Sequence, residues 1–135
     1  MYKTFLLIVS SLYICCSCQE NFDNHLKREA SEYTQKHCPE YIEEGNTLDS
    51  LSYDIKARNL IRWHTLSGTM DTPAARDALI IHSSEVKAQL LRELRNDVQK
   101  ETGKDEKILF TYIYRSISTK DIVFQTTFTP NDYQR

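Results

Sequence analysis

DTPAARDALIIHSSEVKAQLLRELRNDVQKETG, residues 71–103, decides the fold. Asp71 and Thr72 are both N-cap residue types, and Pro73 suits the first helical position, where no N–H is required. Apolar or small residues then recur at Ala75, Leu79, Ser83, Val86, Leu90, Leu94 and Val98, with Leu91 beside them. Steps of three and four place them on one stripe. Arg76, Lys87, Arg92, Arg95, Asn96 and Lys100 fall largely outside it, and Gly103 stands where a left-handed C-cap would go. The pattern predicts one long amphipathic helix over 71–103, with a bend or a separate turn at its Pro73–Ile81 end.

Working outward, the segment after this helix has the clearest strand signals. Ile108 to Arg115 and Ile122 to Thr129 alternate β-branched and aromatic residues with polar ones, and Ser116 to Asp121 has turn composition. Before the helix, Leu60 to Leu66 reads as a strand with Ile61, Trp63 and Thr65 on one side and Leu60, Arg62, His64 and Leu66 on the other. Trp63 is the largest apolar side chain available and is expected in the core against the long helix. Thr47 to Tyr53 alternates more loosely, and Tyr41 to Asn46 reads as a loop. Phe22, Leu26, Ala30, Tyr33 and His37 give an amphipathic helix over residues 20–37, stopped at Cys38-Pro39. Tyr133-Gln134-Arg135 is expected to be a short exposed tail.

The order is helix, strand, strand, helix, strand, strand. That is an α+β fold with a four-stranded, mostly antiparallel sheet and two helices on one face. The other sheet face is left uncovered. Arg62, His64, Tyr112, Tyr114 and Arg115 are the candidate ligand or partner face, with the two arginines positioned to meet an acidic group.

The N-terminus carries an address. Met1-Tyr2-Lys3 is a short positive region, and Phe5 to Ile14 is an apolar run of about ten residues, too short to span a bilayer. Cys15, Cys16, Ser17 and Cys18 follow directly, then polar Gln19-Glu20-Asn21. A cysteine at the end of such a run, after a small residue, is what lipoprotein processing requires. Cys18, after Ser17, is the first choice for acylation and Cys16 the second. The Leu usual three positions earlier is replaced by Cys15. An ordinary cleaved secretory signal is the alternative. The expected division is a signal peptide over 1–17 and a single α+β domain over 18–135. Cys38 is then the only cysteine left unmodified, and a small buried hydrophobe fits it better than a reactive thiol.

Bulk composition bounds the chemistry. The 135 residues carry a formal charge of −2, with acids and bases interspersed, so nucleic-acid binding has no basic stripe to rest on. Three glycines leave no room for a Gly-rich phosphate loop. His25, His37, His64 and His82 show no H-x-x-x-H or H-E-x-x-H spacing, and no metal or cofactor is expected. No G-x-S-x-G or P-loop pattern occurs.

Several stretches carry a resemblance: the apolar run ending in Cys15-Cys16-Ser17-Cys18, the Tyr33-Thr34-Gln35-Lys36-His37-Cys38-Pro39 helix end, Thr47-Leu48-Asp49-Ser50 before Tyr53-Asp54, and the closing Thr127-Phe128-Thr129-Pro130-Asn131-Asp132-Tyr133. In these the chain resembles the small uncharacterised exported lipoproteins of Bacteroides-type bacteria. The resemblance implies a lipid-anchored cell-envelope protein, periplasmic or at the surface, with no assigned catalytic residues. The function expected is a non-enzymatic binding or accessory module with a protein partner at the open sheet face. Two alternatives stand beside it: a small hydrolase or transferase using His64 or His82, and a protein inhibitor.

Overall fold

The computed structural model describes residues 22–100 and 106–134, the side chains of 98–100 excepted. Helix α1 runs over residues 22–37. Strands β1 (Glu40–Glu43), β2 (Asn46–Asp54) and β3 (Asn59–Leu66) follow. A short 3-10 helix, Gly68–Asp71, leads into α2 (Pro73–Ile81) and α3 (Ser83–Lys100). The chain then returns through β4 (Leu109–Ser116), β5 (Ile122–Phe128) and the single-turn α4 (Pro130–Tyr133).

The fold class is α+β, but the sheet has five strands where four were expected. They lie in the order β1-β2-β3-β4-β5. The extra strand is β1, whose Glu-Tyr-Ile-Glu sequence is concealed among charges and overlaps the loop expected over 41–46. It pairs with β2 through the tight turn at Glu44-Gly45, where Gly45 has φ of +80°. The β1–β2, β2–β3 and β4–β5 pairs are antiparallel, whereas β3 and β4 at the centre are parallel. Two helices separate β3 from β4, and a crossover of that length lets the chain return in the same direction.

Register assigns the faces. Leu60, Arg62, His64 and Leu66 stand opposite Phe110, Tyr112, Tyr114 and Ser116. These pack under the helices, in a core that joins Leu66, Tyr112, Tyr114, Phe128 and Tyr133 to Leu90 and Leu94 of α3. Period-two alternation then forces Ile61, Trp63 and Thr65 to the opposite side. The expectation for Trp63 is therefore overturned: it is half-buried on the face no described helix covers, with the Arg115 guanidinium 5.8 Å from its ring centroid. On the same face Thr111 Oγ1 donates to Asn59 Oδ1 at 3.0 Å and sits 2.8 Å from Thr127 Oγ1.

The long helix is broken. α2 ends at Ile81, and His82 leaves helical geometry with φ −97° and ψ 23°. The β-branched pair Ile80-Ile81 followed by Ser83-Ser84 is a run of weak helix formers, which explains the break there. Thr72 rather than Asp71 caps α2, accepting from Ala75 N–H at 3.1 Å. Asp71 is instead buried. It accepts from Ser116 Oγ at 2.5 Å, from Ser118 N–H at 2.9 Å and from Arg76 Nη1 at 3.0 Å. The expected C-cap at Gly103 lies outside the described residues.

α1 shares the helix face, packing Ala30, Leu26 and Phe22 against Leu51, Tyr53, Leu60 and Ile108. Its N-terminal end is tied down by Arg58, which reaches Asp23 at 3.1 Å and Glu106 at 2.9 Å, while Tyr53 Oη donates to Asp23 at 2.6 Å. Nearer its C-terminal end, Thr34 Oγ1 accepts from Leu51 N–H at 2.9 Å and so occupies the edge of β2 beyond β1. Cys38, the one cysteine among the described residues, is half-buried and free. Of the expected exposed tail, Gln134 is exposed, Arg135 lies outside the described residues, and Tyr133 departs from the expectation. A capping box between Thr129 and Asp132 builds α4, and Tyr133 is buried with Oη donating to Ile108 O at 2.7 Å.

Candidate functional site

The crossover leaves a cleft of about 400 Å³ between the sheet and the α2–α3 pair. Its floor is β3 and β4, contributing Arg62, His64, Leu66, Tyr112 and Tyr114. Leu79 of α2 and Val86 and Leu90 of α3 make an apolar wall. Met70 closes one end, and Ile42 and Glu43 of β1, with Gln89 and Glu93 of α3, form the mouth. Met70 reaches its place because Gly45 has no side chain: a Cβ there would lie 2.5 Å from Met70 Cγ and 2.8 Å from Ser67 O. Contacts that close are not tolerated, so a backbone shift would follow.

Four of the five candidate residues, Arg62, His64, Tyr112 and Tyr114, meet here, beneath the helices rather than on the open face. The fifth, Arg115, projects from the opposite side, so the two arginines do not converge on one acidic ligand. β-strand parity separates them, since Arg115 pairs with Thr65 and Arg62 with Tyr112. Asn46, Glu43, Gln89 and Glu93 were not expected. Nothing in the sequence around them signals a site; Asn46 comes under the helices only because it is paired with Leu66.

The floor has unusual polarity. His64 is 6% exposed, and its Nδ1 lies 2.9 Å from Asn46 Oδ1. An amide oxygen only accepts, so Nδ1 carries the hydrogen and Nε2 presents a lone pair. Burial first, and then the neighbouring Arg62 charge, push the imidazole down to about 4, which keeps it neutral. The ring stacks on Tyr114 with centroids 4.5 Å apart. Arg62 sits over Tyr112, its guanidinium 5.8 Å from the ring centroid. Arg62 Nε and His64 Nε2 are both buried without any hydrogen-bond partner. Leaving such an atom unpaired costs about 1–3 kcal/mol. Burial raises the phenols of Tyr112 and Tyr114, and the Arg62 guanidinium beside them opposes the rise in both.

The other histidines are elsewhere. His82 is exposed at the α2–α3 junction with Nδ1 3.6 Å from Glu85 Oε2. His25 pairs with Glu29 at 3.0 Å on the outer face of α1, and His37 packs on Tyr33. Among the described residues His64 has no hydrogen bond to a carboxylate or a hydroxyl, the partners that general-base chemistry would use. The cysteines at 15, 16 and 18 lie outside the described residues.

Residues 21–124 match the family of the domain of unknown function DUF8479, and the chain belongs to that family. The fold is shared with two solved structures. One is a Pseudomonas aeruginosa protein described as secreted, with a TM-score of 0.63 at 13% identity over 82% of this chain and 94% of the other. The second is a pilotin from the Vibrio vulnificus type 2 secretion system, with a TM-score of 0.61 at 9% identity over 87% of this chain and 96% of the other. Among curated proteins, no match was found.

Proposed function

We propose that this protein is a lipid-anchored accessory module of the cell envelope that holds a segment of a partner protein in the cleft between its sheet and the α2–α3 crossover. The observation that carries this reading is the cleft of about 400 Å³ itself, where Leu79, Val86 and Leu90 make an apolar wall over a floor that includes Arg62, His64, Tyr112 and Tyr114. A concave, largely apolar wall facing a few polar groups is what a binding site for a partner segment offers. The fold shared with a secretion-system pilotin supports an accessory role at the envelope. Anchoring rests on the apolar run before Cys15-Cys16-Ser17-Cys18, with Cys18 as the acylated residue and residues 1–17 removed. The partner is placed in the cleft rather than on the open sheet face, because four of the five candidate residues lie there.

Two measurements test this. In detergent-phase partition the wild type enters the detergent phase, and Cys18→Ser, or Cys16→Ser if that is the acylated position, returns it to water. A wild type that stays aqueous would sink the anchor. A photo-cross-linking residue at Gln89, at the cleft mouth, gives a discrete adduct in envelopes. Val86→Trp, which fills the cleft, abolishes that adduct. An adduct indifferent to Val86→Trp would place the partner elsewhere.

A further inference from the structure

We infer that the outer edge of β5 takes an extended segment of a partner protein as a sixth strand, and that this segment carries a carboxylate for Lys87. The site shares no lining residue with the cleft described above and stands independently of it.

The sheet ends in β1 and β5, and the two edges differ. β1 has four residues, two of them glutamates, a length and charge that discourage another strand. β5 has seven, Ile122–Phe128, without a charge or a proline. A bulge at Val123 interrupts its pairing with β4, and residues 124–128 then run in unbroken register. Among the described residues, no backbone hydrogen bond joins 122–128 to any element but β4. The outward N–H and C=O groups are therefore left for water or for another strand.

The edge also has room for side chains. An opening of about 410 Å³ lies beside it, between residues 123–126 and Ile80, Ser83, Ser84 and Lys87 around the α2–α3 junction. Phe124 and Thr126 stand opposite Tyr114 and Tyr112, which puts them on the helix side of the sheet. Every second side chain of an added strand points to that side. Ile80, 57% exposed, suits an apolar one. Lys87 is exposed, is the one charged residue lining the opening, and has no ion pair among the described residues, so it suits an acid. Main-chain pairing supplies affinity, and the alternating side chains select the sequence. A helix laid here would leave the outward amides of β5 unpaired. A second copy of this chain, joined β5 to β5, would bring two Lys87 side chains to one seam with no acid lining it. An extended acidic segment from another protein meets both requirements.

The test uses detergent-solubilised full-length protein labelled with 15N. It is titrated separately with the peptides acetyl-TTVTETV-amide and acetyl-TTVTKTV-amide at millimolar concentration. The acidic peptide should shift the amide resonances of β5 saturably and slow hydrogen exchange at alternate residues of 124–128. The lysine peptide should need at least a tenfold higher concentration for the same shift. Lys87→Glu, at an exposed helical position, should reverse that preference. Equal binding of the two peptides overturns the inference, as does the absence of a saturable shift along β5 with either. Slowed exchange along β5 that grows with protein concentration before any peptide is added would assign the edge to a second copy, and overturns it too.

Discussion

Ser116 Oγ donates to Asp71 Oδ1 across 2.5 Å, joining the entrance of α2 to the end of β4, 45 residues away in the chain. Ser116 is fully buried, and Ser118 N–H and Arg76 reach the same carboxylate. The corner that carries Met70 into the cleft is therefore held by one acid with partners on two elements.

Removing the hydroxyl tests that corner. Ser116→Ala leaves a charged acceptor short of a buried donor and should cost about 1–3 kcal/mol in urea unfolding. These hydrogen bonds, that of Ser116 foremost, hold the Asp71 carboxyl well below the usual carboxylate range. A depressed acid contributes stability above its unfolded value and loses it as pH falls toward the folded one. Acidification below about pH 4 should weaken the wild type more than Asp71→Asn. Equal acid sensitivity in the two would show that Asp71 does not hold the corner.

His64 also weakens the fold in acid, over a higher pH window. Its ring is neutral when folded, pushed down to about 4 from an ordinary 6.5. Between those values the unfolded chain binds the proton and the folded chain does not. Stability should therefore fall as pH drops through that window, by about 3 kcal/mol at most, and level off below it. Urea midpoints measured from pH 7.5 to 4 should show this decline in the wild type and a smaller one in His64→Phe, which keeps a ring for Tyr114 to stack on. A wild-type curve flat from pH 7 to 5 would contradict it.

The C-terminal turn is structural. Tyr133 is 3% exposed, donates to Ile108 O and packs edge-on against Phe110 at 5.2 Å. Tyr133→Ala should cost about 3–5 kcal/mol, and Tyr133→Phe, which loses only the hydroxyl, about 1 kcal/mol. Thermal melts that place both within error of the wild type would mean that α4 is detached in solution.

The two sides of β3 should respond unequally. Leu66→Ala removes a 2% exposed side chain from the core and should cost about 2–5 kcal/mol. Trp63→Ala, on the side without a described helix, should cost less despite the larger side chain, and should leave the Gln89 adduct intact. A larger loss at Trp63 would indicate that something covers that face.

These comparisons mark what the sequence made legible. β2, β3, β4 and β5 were readable because alternation and β-branched content coincide in them. β1 was not, since two of its four residues are glutamates and its pairing depends on a turn at Gly45. The helix break at His82 was visible only as excess length. Trp63 was misassigned because size argues for the core, whereas parity, set by Leu66 and Leu60, argues against it. The site was half legible. Arg62, His64, Tyr112 and Tyr114 stood out as polar and aromatic groups on strands. Their convergence depends on the parallel pairing of β3 with β4, which alternation within one strand cannot reveal. Asn46 and the glutamates at the mouth are assembled by topology alone.

By seating its hydroxyl on Leu51 N–H, Thr34 occupies a bonding position on the stretch of β2 that β1 leaves free, so another chain's strand cannot add there. No described residue does the same along β5. If destabilised molecules join edge to edge, they should do so through Ile122–Phe128, and a lysine placed midway along that strand should keep them apart.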